Sequence, residues 1–190
     1  MNTLQRRAAM SLVLLSLTAA PLAACGEKAE TTGPAGTPAP SSKTLAEALK
    51  GEGDLNALEG VVGGSGLATV LDGKGPYTVF APVDAAMQAT GGANDLSDEA
   101  LRAQSIALLR AHTVPGALTR ADINGALDRA SGGSVEMRTM ADGLLKFTRD
   151  GQTIVVTAPD GAVGRLTGAE TLASNGVLQP VDGVLVKPAA

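Results

Sequence analysis

The chain carries one histidine and one cysteine, His112 and Cys25, among its 190 residues. A Cys/His zinc cluster and an intrachain disulfide are therefore impossible within a single chain. His112 could act as the general base of a hydrolase, beside a serine and an aspartate. The G-x-S-x-G motif that presents such a serine does not occur, and the glycine-flanked Ser65 does not follow a predicted strand. Hydrolysis through His112 is thus a remote alternative, and no catalytic residue is predicted.

His112 is instead expected to be a structural residue that bonds Asp84 or nearby backbone. A carboxylate partner would raise the pKa of His112, so the stabilisation would be lost as the pH rises through that value. The hypothesis is that Asp84 and His112 pair and thereby join two distant segments of the chain.

Other binding motifs are missing from the sequence. The Asp-Gly pairs do not form the D-x-[DN]-x-[DN]-G loop that binds calcium, and no glycine-rich loop ends in G-K-[ST]. Neither a metal nor a cofactor is therefore predicted. The formal net charge is −4, and the aromatic residues are only Tyr77, Phe80 and Phe147. An acidic chain with so few stacking side chains is a poor nucleic-acid binder.

Cys25 lies at the end of a segment typical of export. Arg6 and Arg7 precede 13 mostly apolar residues, 8–20, which are too few to span a bilayer, since a helix needs about 20. Small residues then lead into Cys25 and resemble a bacterial lipobox, which implies cleavage after residue 24 and a lipid on the Cys25 sulfur. The alternative is an ordinary signal peptide cut after Ala24.

The composition around Cys25 gives an expected location. Residues 1–24 hold two arginines and no acid, so their removal changes the formal charge from −4 to −6. An acidic domain is repelled by anionic lipid, so the membrane partner would be reached through the lipid anchor. In Gram-negative lipoproteins, an aspartate directly after the lipidated cysteine favours retention in the inner membrane. Residue 26 is a glycine, so the outer membrane is the favoured location if the source is Gram-negative. The expected location is then the periplasmic face of the outer membrane or the cell surface.

A composition change separates a tether from a domain. Residues 25–42 are rich in proline, glycine and threonine and hold no apolar side chain larger than alanine after Cys25, so they are not expected to fold on their own. Residues 43–190 have the size of one domain.

The first part of this domain reads as helices. Thr44 is expected to cap a helix over 45–50 and Asp54 a second one whose apolar residues have helical spacing. A short third piece follows at 67–71. After a strand at 77–80, Asp84 starts a further helix. Ser97 is expected to cap the longest helix, which ends near His112.

The second part reads as hairpins. Strand-type runs occur at 135–140, 144–148, 153–157 and 184–186, and Asp-Gly pairs at 142–143, 150–151, 160–161 and 182–183 separate or precede them. Asp-Gly between such runs is a strong hairpin signal. Helices followed by antiparallel strands predict an α+β fold, or a β-sandwich with helices on one side.

Three segments carry a family resemblance. Residues 78–87 read TVFAPVDAAM, residues 108–116 read LLRAHTVPG, and residues 175–185 read NGVLQPVDGVL. In order and spacing they resemble the three signatures of the fasciclin domain family, over about residues 43–188. The matching positions singled out as structural or recognition residues are Thr78, Phe80, Pro82, Asp84, His112, Pro115, Gly116, Asn175, Gly176 and Asp182.

This resemblance implies a fold and a function. The fold would be a wedge in which two small β-sheets form a sandwich-like core with N-terminal helices packed on it. The function would be non-catalytic adhesion or recognition outside the cytoplasm, with an unidentified protein or glycan partner. The alternative is a structural envelope lipoprotein that contacts other envelope components.

The sequence departs from the signatures at six positions, which are Val83, Met87, Ala111, Thr113, Gln179 and Pro180. Ala111 stands where tyrosine is usual before the histidine, so the integrin-binding mode linked to that region in animal relatives is not carried over. Gln179 replaces a usual histidine. Pro180 replaces an aliphatic residue and predicts an edge position or a bulge in the last strand.

Overall fold

The computed structural model describes residues 40–90 and 101–187. The predicted leader, Cys25, nearly all of the tether and the predicted cap Ser97 lie outside these residues. The described helices are α1 (Leu45–Leu49), α2 (Asn56–Ser65), α3 (Ala68–Asp72), α4 (Asp84–Ala89), α5 (Arg102–Ala111) and α6 (Arg120–Arg129).

The described strands form two four-stranded sheets. They are β1 (Tyr77–Pro82), β2 (Thr113–Pro115), β3 (Ser134–Arg138), β4 (Leu144–Asp150), β5 (Thr153–Thr157), β6 (Val163–Arg165), β7 (Thr171–Ala173) and β8 (Gly176–Val181). The first sheet has the order β2-β1-β8-β7 and the second the order β3-β4-β5-β6. Helices together with two small sheets confirm the predicted α+β class.

The first helix begins as the sequence predicts. Thr44 Oγ1 accepts a hydrogen bond from the Glu47 N–H, and the Glu47 side chain accepts one from the Thr44 N–H, which makes a full capping box. The prediction that Asp54 caps α2 is wrong. The N-cap of α2 is Leu55, whose apolar side chain has no hydrogen-bond acceptor and is buried in the core.

The first sheet joins the two ends of the domain. β1 pairs antiparallel with β2 and parallel with β8, with Thr78 opposite Val114 on one side and Val177 on the other. A parallel pair requires a long crossover connection, and here α4, α5, α6 and the entire second sheet lie between the two strands in the chain. A buried apolar cluster packs α1 and α2 against this sheet, and it includes Leu45, Leu58 and Leu178.

The second sheet is the predicted antiparallel meander. Three of the four Asp-Gly pairs lie at its turns, where Asp142, Gly151 and Gly161 adopt φ values of +64°, +60° and +82°. Alternate residues of β4 and β5 point into a second buried cluster, to which α6 contributes Ile123. Burial of each such side chain stabilises the fold by about 1.5–3 kcal/mol.

The predicted strand at 184–186 does not form. The chain after β8 is irregular, and Gly183 lies so close to β6 that a Cβ there would come within 2.2 Å of the Val163 carbonyl oxygen. The fourth Asp-Gly pair therefore brings the C-terminal segment against β6 instead of turning a hairpin. The final strand is β8, which precedes this pair.

The expectation for Pro180 is half right. β8 is an inner strand of its sheet, but β7 pairs only with its first half, Gly176 to Leu178. Beyond that point the Pro180 carbonyl accepts a 2.9 Å hydrogen bond from the Thr167 N–H. The nitrogen of a strand residue points to the same side as its carbonyl, so the missing N–H of Pro180 faces this loop and costs the β1 ladder nothing.

Candidate functional site

The His112 ring is buried at the C-terminus of α5, and its accessible surface is 0%. Its Nε2 accepts a 2.8 Å hydrogen bond from the Leu185 N–H. Nδ1 lies 2.8 Å from the Leu108 carbonyl oxygen, and because Nε2 is an acceptor, Nδ1 carries the proton and donates to that oxygen. Both ring nitrogens are thus occupied by backbone, and the ring connects α5 to the C-terminal segment.

The surroundings of His112 keep the ring neutral. Burial lowers its pKa from 6.5 to about 4, and this effect outweighs the Leu108 carbonyl and the negative charge of Asp160, which act in the opposite direction. A neutral imidazole with neither nitrogen free has no lone pair to offer to a substrate. The arrangement therefore suits a structural role and is unsuited to general-base catalysis.

The predicted pair between Asp84 and His112 is wrong. Asp84 Oδ1 accepts a 2.8 Å hydrogen bond from the Ala57 N–H, and Oδ2 accepts a 2.9 Å bond from Asn56 Nδ2. Partial burial favours a raised pKa for Asp84, but these bonds to Ala57 and Asn56 hold the pKa below its ordinary value. Asp84 thereby caps α2 from the start of α4, a role that the sequence had given to Asp54.

The first two signatures are joined by backbone and by a threonine instead. The Phe80 N–H donates to the His112 carbonyl at 2.9 Å. The buried Thr78 hydroxyl donates to the Gly116 carbonyl at 2.6 Å and accepts from the Leu118 N–H at 2.8 Å. These bonds fix the loop that follows β2 against the end of β1.

Four signature residues in these segments lie at packing contacts, strand ends or a turn. The Phe80 ring is fully buried and contacts Phe147 of the second sheet, with ring centroids 5.3 Å apart. Pro82 is the last residue of β1, and Pro115 is the exposed last residue of β2. Gly116 follows with a φ of +109°, a conformation that favours glycine.

The third signature joins the helices to the first sheet. Asn175 Oδ1 accepts from the Leu45 N–H at 2.8 Å, and Asn175 Nδ2 donates to the Leu71 and Gly73 carbonyls at 2.7 and 2.8 Å. One side chain therefore links α1, α3 and the turn before β8. At Gly176 a Cβ would lie 2.0 Å from the Tyr77 carbonyl oxygen, so only glycine allows β8 to approach β1 here.

Asp182, near the end of the same signature, bonds the segment after β8 to Arg165 of β6. Its Oδ1 accepts a 2.6 Å hydrogen bond from the Arg165 N–H, and its own N–H donates to the Arg165 carbonyl at 3.0 Å. Most of the ten signature positions thus lie at hydrogen bonds, packing contacts or turns that join helices, loops and sheets, whereas Pro115 is exposed at the end of β2.

A buried polar network was missed by the sequence reasoning. Gln179 is fully buried in β8. Its Oε1 accepts from Arg120 Nε at 3.1 Å, and its Nε2 donates to Glu170 Oε2 at 2.7 Å and to the Leu118 carbonyl at 3.1 Å. The sequence had marked Gln179 only as a departure from the signature.

Arg120, at the start of α6, spans this network and the loop before β7. Its guanidinium donates to the carbonyls of Gly168 and Thr167. The sequence contained a usable signal for α6, because Thr119 and Asp122 form a capping box. The hydrogen-bond partners of Arg120 lie about 50 residues away in the chain, and no local sequence pattern predicts them.

The described surface has two depressions that are lined partly by signature residues. One is a groove of about 760 Å³ beside the β7–β8 turn, and it is lined mainly by apolar groups. The other is a cleft of about 570 Å³ that includes Glu52, Asp54, Asp84 and Asp182. Within residues 40–90 and 101–187, no group of three or more histidine, cysteine or acidic residues is arranged to hold a metal ion. In the same ranges, no helix combines the length and the apolar character needed to cross a bilayer.

Two small sheets packed with short helices define an α+β domain, and comparison with known proteins assigns this domain to a family. The chain belongs to the fasciclin domain family, whose model matches residues 53–187. A FAS1 domain pair from the insect cell adhesion molecule fasciclin I has a similar fold, with a TM-score of 0.58 and 19% identity over 73% of this chain and 47% of that one.

Two curated proteins are similar in sequence. Protein sll1483 of Synechocystis is 29% identical over 151 residues, which cover 78% of this chain and 76% of that protein. Human Stabilin-1 is 28% identical over 166 residues, which cover 82% of this chain but 6% of Stabilin-1. The chain thus spans most of the Synechocystis protein and a small fraction of the human one.

Proposed function

We propose that this chain is a recognition or adhesion module that works outside the cytoplasm without catalysis, held at a membrane by a lipid on Cys25. The observation that carries the proposal is membership of the fasciclin domain family. A solved relative of the same fold comes from a cell adhesion molecule. The partner is a protein or glycan of the cell envelope or the surrounding matrix.

The internal contacts support binding more than chemistry. His112, the one histidine, is buried with both nitrogens bonded. Thr78 and Asp182 bond loop residues to strand residues, and Asn175 links two helices to the turn before β8. Such bonds order surface loops before a partner arrives, and this reduces the entropy lost on binding.

The anchor rests on the sequence. Cys25 follows the predicted leader and precedes a tether of about 17 residues, which as a flexible chain would give a reach of roughly 20–25 Å. Three acyl chains, as in bacterial lipoproteins, would make attachment effectively permanent, since each buried methylene contributes about 0.8 kcal/mol. Gly26 favours the outer membrane if the source is Gram-negative.

The anchor is tested by fractionating cells that produce the wild type or Cys25→Ala. We expect the wild type in the membrane fraction and the variant in the soluble fraction at a comparable amount. Recovery of Cys25→Ala in the membrane to the same extent as the wild type would contradict the anchor.

Recognition is tested with the soluble chain 25–190 carrying Cys25→Ser. Labelled protein is added to intact cells, opened envelopes and isolated matrix of its own species, with and without excess unlabelled protein. Saturable and competed binding is expected. If protein shown to be folded by circular dichroism does not bind, the recognition function is wrong. Crosslinking to envelope neighbours would then test the structural envelope role.

A further inference from the structure

The groove beside the β7–β8 turn has three walls from distant parts of the chain. The loop before β1 contributes Pro76, the loop after β2 contributes Ala117, and β7 contributes Leu172. Pro76 and Ala117 are exposed, and Leu172 is half-buried. The groove is shallow and mainly apolar, with a volume of about 760 Å³.

The tether joins the domain at this groove. Pro40, the first described residue, lines the groove itself. The chain that follows is fixed along β7, because the Ser41 N–H donates to the Leu172 carbonyl at 2.9 Å and the Ser174 N–H donates to the Lys43 carbonyl at 2.8 Å. The Thr44 hydroxyl also donates to Asp72 at 2.7 Å, at the opposite wall. Pro40 and Ser41 therefore place the C-terminal end of the tether at the groove.

We propose that residues 33–39 of this chain, which read GPAGTPA, occupy the groove. Proline-containing segments favour an extended polyproline II conformation that needs no internal hydrogen bonds, at about 3.1 Å per residue. Seven residues would then cover roughly 20 Å. Small proline and alanine side chains suit a shallow apolar channel, whereas larger side chains would need deeper pockets.

The covalent connection makes a weak contact sufficient. A short linker holds a segment near its site at an effective concentration on the order of millimolar. A groove with only millimolar affinity for the free segment would therefore be occupied for a large part of the time. Docking would bring the domain closer to the point where the tether is attached, and it would cover the β7–β8 turn. This inference depends neither on the lipid nor on the recognition function.

The test measures backbone order of residues 33–39 in the chain 25–190 carrying Cys25→Ser. Amide ¹⁵N relaxation gives order parameters for Gly33, Ala35, Gly36, Thr37 and Ala39. A docked segment gives values approaching the 0.85 or so of a rigid backbone, and an undocked one gives values below about 0.6. We expect values clearly above 0.6 in this chain, since partial occupancy averages the docked and free states, and values below 0.6 after Ala117→Arg, which places a long charged side chain in the groove.

Val163→Arg is the matched control, because Val163 is exposed on β6 and does not line the groove. It should leave the order parameters unchanged. Values below 0.6 before any groove substitution would overturn the proposal. So would high values that Ala117→Arg does not lower, since the segment would then be held elsewhere. Groove resonances that shift with protein concentration while residues 33–39 stay disordered would identify a second copy as the occupant and would equally overturn it.

Discussion

At the scale of single residues, the signature positions hold the domain together more than they form a reactive site. The sequence singled out His112, Asp84 and Asn175, but it could not identify their hydrogen-bond partners. His112 bonds Leu108 and Leu185, and the second of these lies 73 residues further along the chain. Partners so distant depend on how the chain folds back on itself, which residue types do not encode locally.

The pH dependence of stability should report the buried His112. Its pKa is about 4 in the folded protein and about 6.5 when unfolded, so the unfolded chain binds the extra proton between these values. The free energy of unfolding should therefore be highest above pH 6.5 and fall by about 3 kcal/mol as the pH decreases to 4. Urea unfolding across this range measures the loss.

His112→Gln supplies the control for this titration. The variant has no group that titrates between pH 4 and 6.5 at this site, so its stability should be lower at neutral pH and nearly flat over that range. The lowered pKa values of Asp84, Asp122 and Asp160 add losses mainly below about pH 4, in the wild type and the variant alike. A wild type and a variant with the same slope between pH 6.5 and 4 would show that His112 is not buried and neutral.

Asp84 and Asp54 form a matched pair for testing which carboxylate caps α2. Asp84→Ala removes the acceptor of the Ala57 N–H and should lower the free energy of unfolding by about 1 kcal/mol, in the range of a lost helix cap. Asp54→Ala should change it by less than about 0.5 kcal/mol. Urea unfolding at pH 7 decides, and a larger loss for Asp54→Ala would restore the cap that the sequence suggested.

At the scale of elements, the sequence predicted what local pattern controls. The Thr44 helix cap, β5 at Thr153–Thr157 and three Asp-Gly turns are confirmed, because each depends on neighbouring residues. The parallel pairing of β1 with β8 was not predicted, because about 100 residues separate the two strands. The strand expected at 184–186 was wrong, since close packing on β6 prevails over local strand propensity.

The close approach of β8 to β1 gives a test at this scale. Gly176→Ala would place a Cβ 2.0 Å from the Tyr77 carbonyl oxygen. The strands would have to separate, which should cost about 1–3 kcal/mol or more, as for other overpacked sites. Thermal and urea unfolding would measure the loss.

Gly63→Ala in α2 is the matched control for this substitution. A Cβ at Gly63 meets nothing within 4 Å, and alanine favours a helix over glycine by up to about 1 kcal/mol. Its free energy of unfolding should therefore rise. If Gly176→Ala is tolerated as well as Gly63→Ala, the two strands are not in close contact at this position.

At the scale of the whole molecule, the fold and the family are better determined than the partner. Three short signatures pointed to the family, and in this chain they contain residues that fix contacts between distant elements. A partner of the proposed recognition module would be bound by surface loops, whose residues those contacts leave free to vary. The sequence therefore predicts the scaffold more readily than a binding surface.

The most direct test of an anchored recognition module is the adhesion of membrane fragments. Membranes from cells producing the wild type or Cys25→Ala are opened so that both faces are exposed, and their binding to isolated matrix and wall material of the same species is measured. Wild-type fragments should adhere, and excess soluble chain should release them, whereas fragments from Cys25→Ala cells should not adhere. Equal adhesion of the two kinds of fragment, or adhesion that the soluble chain does not compete, would contradict the account.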